Sequence, residues 1–295
     1  MLDHRAANAG SRVARDKVRR RARSVLSRAV LYLVLCTGSV LFLMPLAWMI
    51  STSLKTPEQY FGFPPRWIPN PIYWKNYVEG LTYFPFIRYT LNTLFITCVS
   101  IVGVAMSSSI TAYSFARLRW PGRDVFFVAF LATLMLPGQV TMIPIYVLFT
   151  RLGWVDTYLP LTVPYFFGGA FWVFLLRQFF LSIPFDLSDA AKIDGCSEFA
   201  IYWRIMLPLS KPALATVAIF TFIGVWNDFM GPLIYLNSPE KYTLALGLRS
   251  FQLRYGTDWG ALMAASLVVM VPCIALFLAM QRYFIQGITL TGLKG

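Results

Sequence analysis

Apolar stretches of about twenty residues recur along this chain at 29–50, 89–113, 125–148, 158–180, 213–235 and 259–281. A helix rises about 1.5 Å per residue, so about 20 such residues cross the roughly 30 Å hydrocarbon layer of a bilayer. The pattern predicts an all-α polytopic membrane protein with six transmembrane helices. The first stretch, Ala29 to Ile50, is longer than the roughly 7–15 residue apolar core of a cleaved signal, and no small-x-small cleavage site follows it, so it reads as a retained span. Helix breakers fall inside the third stretch (Pro137, Gly138, Pro144) and the fourth (Pro160, Pro164, Gly168, Gly169). They either kink helices for packing or open the backbone toward a translocation pathway.

Charge orients the spans. Only 13% of residues are charged, against about 25% in soluble domains. The net charge is +13, and its position argues against nucleic acid. Arg5, Arg12, Arg15, Lys17, Arg19, Arg20, Arg21, Arg23 and Arg28 all precede the first span, where a basic tail sets orientation or meets anionic membrane lipid. With the N-terminus inside, Arg117, Arg119, Arg123, Arg177, Lys192, Arg204, Lys211, Arg282 and Lys294 join that tail on the inner side. Lys55, Arg66, Lys75, Arg88, Arg151, Lys241, Arg249 and Arg254 fall outside. The inner excess predicts N-in, C-in topology, a basic cytoplasmic tail at 1–28 and a transmembrane domain at 29–295.

Little here suits catalysis. The single histidine is His4, in the tail, and the four cysteines form no CxxC pair. No metal site, resident cofactor or GxSxG nucleophile turn is expected. The chain has no GxxxxGK[ST] phosphate loop and is therefore not an ATPase. A stand-alone secondary transporter would need several intramembrane charges, yet Asp228 is the sole acid well inside a predicted span. Trp226, Asn227 and Asp228 could line a substrate path through stacking and hydrogen bonds. Alternatively, Asp228 sits near the outer end of its span and braces neighbouring helices.

One polar stretch stands out between spans four and five, "DAAKIDGCSEFAIYWRIMLP", Asp189 to Pro208. Within the inner loop of about 184–212 it reads as two short helices. Asp186 is the expected N-cap, with Asp189 three residues on as a variant capping box, and the first helix spans about 187–194. Gly195 suits the left-handed position that ends it. Ser197 is the expected cap of the second helix, with Glu198 in its first turn. Phe199, Ile201, Tyr202, Ile205 and Met206 follow, and Leu207-Pro208 is expected to close that helix. Ala191 and Gly195, four apart, are expected to form a small-residue face that another surface can approach closely.

The spacing Asp189-Ala190-Ala191, three residues, Gly195, nine residues, Ile205, one residue, Leu207-Pro208 resembles the EAA loop of bacterial ABC-importer permeases. That family pattern is Glu-Ala-Ala-x3-Gly-x9-Ile-x-Leu-Pro, and only Asp189, one methylene shorter than the family's glutamate, departs from it. The stretches 112–124, 226–248, 255–260 and 281–295 further resemble maltose-type carbohydrate permeases, so the resemblance covers 29–295. It implies a type I ABC importer permease fold in the cytoplasmic (inner) membrane of a bacterium or archaeon. It also implies a second homologous permease subunit, a cytoplasmic ATP-binding cassette ATPase dimer that uses the ATP, and an extracytoplasmic sugar-binding protein. Asp189, Ala190, Ala191, Gly195, Ile205, Leu207 and Pro208 then match the ATPase-coupling motif. The outer loop Lys241 to Tyr255 would meet the binding protein, and the tail Thr289 to Gly295 resembles a segment that contacts the ATPase pair. The cargo is implied to be a sugar, with a sugar phosphate left open.

Overall fold

The computed structural model describes the backbone of residues 3–253 and 256–292, and the side chains of 26–252 and 257–281. The side chains of the basic tail as far as residue 25, Arg254 and Tyr255 in the loop expected to be outer, and the side chains of the C-terminal tail lie outside the described residues. The chain divides into two units, Met1–Trp74 and Lys75–Gly295.

The first unit is one long helix and a loop. Helix α1 spans Asp3–Ser53, and its segment Leu26–Ser53 provides 28 residues of span, about 42 Å at the helical rise. The loop behind it folds back on the helix end. Ser51 Oγ donates to the Trp67 carbonyl at 2.5 Å, and the Tyr73 N–H donates to the Leu54 carbonyl at 2.9 Å. Lys55 is fully buried, its ammonium 3.7 Å from the centre of the Trp48 ring. The negative face of that ring favours a cation withdrawn from water.

The second unit is helical throughout its described residues, apart from a short antiparallel pairing of Gln252–Leu253 with Gly256–Thr257. Its helices, in order, are α2 (Lys75–Thr82), α3 (Phe86–Arg117), α4 (Arg123–Ala132), α5 (Gly138–Arg151) and α6 (Leu159–Thr162). They continue with α7 (Ala170–Ser182), α8 (Asp186–Ile193) and α9 (Glu198–Leu209), which contains a π-helical stretch at Tyr202–Met206. The last four are α10 (Lys211–Trp226), α11 (Met230–Tyr235), α12 (Leu244–Arg249) and α13 (Trp259–Gly292).

Helix α3 is the central post, packed against α7, α10 and the 3-10 stretch Val163–Phe167. One face is rich in small hydroxyl residues, including the buried Thr93, Thr97, Ser100 and Ser108. Small side chains let backbones approach, and their hydroxyls bond across helices. Ser100 Oγ donates to the Leu161 carbonyl at 3.2 Å, and Ser107 Oγ donates to the Tyr165 carbonyl at 3.0 Å. The closest approach involves α2 and α13, where a Cβ on Gly80 would lie 2.7 Å from the Ala261 carbonyl oxygen. Ala261, Ala264 and Ala265 keep that groove open by having little side chain to fill it.

Four apolar helical segments are long enough to cross a bilayer: Leu26–Ser53, Phe86–Arg117, Leu159–Ser182 and Trp259–Gln281. Two further helix pairs are apolar and long enough only when taken together, and both are sharply bent, α4 with α5 at 98° and α9 with α10 at 74°. The third apolar stretch is therefore not one straight helix. Leu136 and Pro137 are both extended, Pro137 has no N–H to carry a ladder onward, and α5 starts afresh at Gly138. The fifth stretch also breaks: α10 ends at Trp226, and the turn at 227–229 precedes α11. Pro160, Pro164 and Pro212 cost their helices no hydrogen bond, because each occupies a first turn whose N–H groups have no partner anyway.

Candidate functional site

The polar stretch forms the expected helix, glycine elbow and second helix. The end of α8 is a complete Schellman motif. Gly195 has φ +80°, its N–H donates to the Lys192 carbonyl at 3.0 Å, and the Cys196 N–H donates to the Ala191 carbonyl at 2.9 Å. Ser197 caps α9 by accepting from the Ala200 N–H at 3.3 Å. Two local expectations fail. Asp186 is the first helical residue rather than the cap; Phe185 holds the cap position, and its carbonyl accepts the Ser188 and Asp189 N–H groups, so no Asp186–Asp189 box forms. Leu207-Pro208 does not close α9, which continues through Leu209. A proline ring inside an α-helix clashes with the carbonyl four residues back. The π-helical turn at Tyr202–Met206 lies just before Pro208 and widens the ladder at that carbonyl, Arg204.

Burial sorts the motif residues. Asp189, Ala190, Gly195 and Pro208 are exposed, while Ile205 and Leu207 are half-buried. Ala191 is 6% exposed and packs in the main core with Phe180, Ile183, Ile201, Tyr202 and Met206. The expected common face of Ala191 and Gly195 is therefore absent: Ala191 turns inward, and Gly195 alone is open, with nothing within 4 Å of a built Cβ. Apolar side chains crowd the outward surface instead. Ile193 is 87% exposed and Phe199 71%, with Trp203 stacked beside Phe199 at 6.3 Å.

Four polar connections hold this element and the helix end before it, and of their residues only Glu198 was singled out in the stretch from sequence, as a first-turn acid. Lys192 Nζ pairs with Glu198 Oε1 at 2.7 Å, bridging the elbow. Glu198 Oε2 accepts from the Tyr113 hydroxyl of α3 at 2.6 Å, and the hydroxyls of Ser109 and Tyr202 share a buried bond of 2.7 Å. Arg117, at the end of α3, donates from Nη2 to the carbonyls of Phe180 and Ile183 and stacks its guanidinium 4.2 Å from the Phe185 ring centre. At this end of α7 the Phe180 carbonyl also accepts the Ile183 N–H at 3.3 Å, and a single guanidinium nitrogen reaches both carbonyls. Arg117 counts among the orienting charges in the sequence; its role as a helix clamp follows from long-range packing that no spacing encodes.

The residues at 226–228 separate. Trp226 and Asn227 line a cleft of about 610 Å³ with Phe229, Arg249 and Gln252. Trp226 is buried, donates from Nε1 to the Val269 carbonyl at 3.1 Å and stacks on Phe222. Asp228 does not line the cleft. Its Oδ1 accepts the Gly231 N–H at 3.1 Å, a local bond in the first turn of α11.

A second clasp joins the loops at 152–158 and 236–243. Asp156, at φ +61°, accepts from the Asn237 and Ser238 N–H groups at 3.0 and 2.9 Å and from the Ser238 hydroxyl. Lys241 Nζ pairs with its Oδ2 at 3.0 Å. The Ser238 hydroxyl bond first, then the two backbone donors and Lys241, hold this carboxyl well below the usual carboxylate range.

Apolar helices of bilayer length, two of them sharply broken, define a polytopic α-helical membrane protein. Residues 103–290 match the family model described as "Binding-protein-dependent transport system inner membrane component". The chain is 35% identical over 274 residues to the arabinooligosaccharides transport system permease protein AraQ of Bacillus subtilis, covering 91% of this chain and 96% of AraQ. It is 33% identical over 265 residues to the sn-glycerol-3-phosphate transport system permease protein UgpE of Yersinia enterocolitica, covering 87% and 94%. Its fold matches a chain of a crystal structure of a bacterial ABC transporter that imports the acidic polysaccharide alginate, with a TM-score of 0.77 and 24% identity, over 86% of this chain and 95% of that one. This chain belongs to the family of binding-protein-dependent transport system inner membrane components, and is a membrane-embedded permease.

Proposed function

We propose that this chain is one of two permease subunits in an ATP-driven, binding-protein-dependent sugar importer, and that α8–Gly195–α9 couples it to a cytoplasmic ATPase dimer. The carrying observation is the contrast within that element. Its inner side is tied to α3 through Glu198 and Tyr202, while its outer side presents Ile193, Phe199 and Trp203. Exposed apolar surface marks a protein or membrane contact, and the exposed Asp189, Lys192 and Asp194 on the same element favour a protein. In this reading the chain is N-in and C-in, six spans count the two bent pairs as one each, and Asp189, Ala190, Gly195 and Pro208 face the ATPase. ATP binding and hydrolysis belong to that partner. The basic tail 1–28 lies in the cytoplasm against anionic lipid, and the loop from Lys241 toward Tyr255 meets an extracytoplasmic binding protein.

The carbohydrate class draws its support from relatives named for arabinooligosaccharides and for sn-glycerol-3-phosphate. An oligosaccharide is the first reading for the cleft of Trp226, Asn227 and Phe229, since rings stack on aromatic faces. Arg249 in the same cleft keeps a sugar phosphate as the second. The test is purification of the chain with its neighbours and reconstitution in liposomes. An ATPase subunit should co-purify, and hydrolysis should rise with sugar-loaded binding protein. Uptake by the chain alone without ATP would overturn the proposal, and comparing labelled oligosaccharide with labelled sn-glycerol-3-phosphate separates the two cargo readings.

A further inference from the structure

Away from the coupling element, the junction between α3 and α4 holds a cleft of about 430 Å³ lined by Arg119, Trp120, Gly122, Arg123, Asp124 and Val125. Its charge is unbalanced. Arg123 Nε pairs with Asp124 Oδ1 at 3.0 Å, its Nη2 donates to Oδ2 at 3.4 Å and its Nη1 to the Leu118 carbonyl at 3.2 Å; Arg177 Nη2 reaches Oδ1 at 4.0 Å, so one carboxylate serves two guanidinium groups. Arg119 is exposed and has no hydrogen bond or ion pair among the described residues. The Trp120 Nε1–H is shielded from solvent and also has no acceptor there. The Asp124 and Val125 N–H groups in the first turn of α4 add donors, while the Arg123 N–H bonds the Trp120 carbonyl at 3.4 Å. The cleft thus offers several donors, and its cationic side chains outnumber the one carboxylate of Asp124.

The surroundings specify the anion's source. Directly beyond the cleft, α4 presents Val125 at 74%, Phe126 at 62% and Val128 at 65% exposure, an apolar strip that continues along a helix read as part of a span. A ligand with an anionic phosphodiester head and acyl tails fits both parts at once. Tryptophan beside arginine at the end of a span is also the composition of a bilayer interface. We infer that this cleft binds the headgroup of an anionic phospholipid, with Arg119, Arg123 and the Trp120 indole on the phosphodiester and the acyl chains along Val125, Phe126 and Val128. The site is distinct from the basic tail 1–28 and depends only on the membrane reading of the chain, not on its cargo.

The test uses the full transport complex in nanodiscs of phosphatidylcholine with or without phosphatidylglycerol, with retained lipid counted by native mass spectrometry after detergent release. Arg119→Gln removes a charge that makes no internal contact, so the variant keeps its fold. It should retain phosphatidylglycerol about tenfold less well than the unmodified protein, the loss of one charge-assisted contact. Arg119→Lys should recover part of that retention. Arg151→Gln, an exposed charge at the far end of α5, should lose none. Equal retention in Arg119→Gln and the unmodified protein would overturn the inference, as would equal losses in Arg119→Gln and Arg151→Gln. Displacement of the lipid by inorganic phosphate at matched concentration would overturn the lipid source and mark a site for a soluble phosphate.

Discussion

Gly195 allows the turn and the partner contact to be separated by substitution. Its φ of +80° is the left-handed region, where an ordinary L-residue costs roughly 1–2 kcal/mol and a β-branched one more. Leaving that conformation would also break the two bonds that end α8, each about 1 kcal/mol net. Space is not the obstacle within the chain, because a Cβ there meets nothing within 4 Å. Asparagine tolerates the left-handed region, so Gly195→Asn should melt close to the unmodified protein, while Gly195→Val should lose about 2 kcal/mol or rearrange the elbow. Any further loss in Gly195→Asn must then arise at the partner's surface. The assay measures ATPase subunit retained per permease and hydrolysis stimulated by loaded binding protein, alongside thermal unfolding of the membrane domain. Both variants should lose stimulated hydrolysis, but only the valine variant should lose stability. Normal coupling in Gly195→Asn would show that the glycine serves the turn alone and refute close approach by a partner at this point.

The other expected outcomes concern the clamps and the cleft. Arg117→Met should remove the charged donor from the Ile183 carbonyl and from the Phe180 carbonyl, which keeps only the Ile183 N–H, at about 1.5–3 kcal/mol for each charged bond, seen as reduced folded protein in the membrane fraction. Arg117→Lys should rescue it poorly, because an ammonium lacks the planar guanidinium face that stacks on Phe185. Asp228→Asn should leave the apparent affinity for cargo unchanged, because an amide oxygen can still accept the Gly231 N–H; a raised KM would place Asp228 on the substrate path. For Asp156, a depressed folded-state pKa means its stabilisation is fully present above the unfolded carboxylate value of about 3.9 and is lost as pH falls through the still lower folded value. Amide protection at Asn237 and Ser238, corrected for intrinsic exchange, should stay level from neutral pH to about pH 4 and fall in Asp156→Ala. Loss of protection already near pH 5 would contradict the assigned clasp.

What could be read from residue order is whatever depends on local periodicity or on one turn. Twenty-residue apolar runs announce the spans because the bilayer leaves a helix little choice. The glycine elbow was legible because Gly195 and Ser197 each act within a few residues of themselves, and the spacing from Asp189 to Pro208 carried the family. Where backbone partners outside the pattern intervened, the reading slipped: Phe185 displaced Asp186 as the cap, and the π-helical turn let α9 run past Pro208. The 98° bend between α4 and α5 was only a cluster of breakers in the sequence, since a proline fixes where a ladder stops but not the angle at which the next helix leaves. Long-range contacts were invisible for a plainer reason. Arg117 looks like any orienting charge, Tyr113 and Ser109 like ordinary members of an apolar span, and Ala191 like a surface residue. Their roles arise because α3, α7 and α9 come together around one core, bringing donors and acceptors from up to 93 positions apart into contact. Burial makes those pairings obligatory, because a polar group shut away from water must find its partner in another part of the chain.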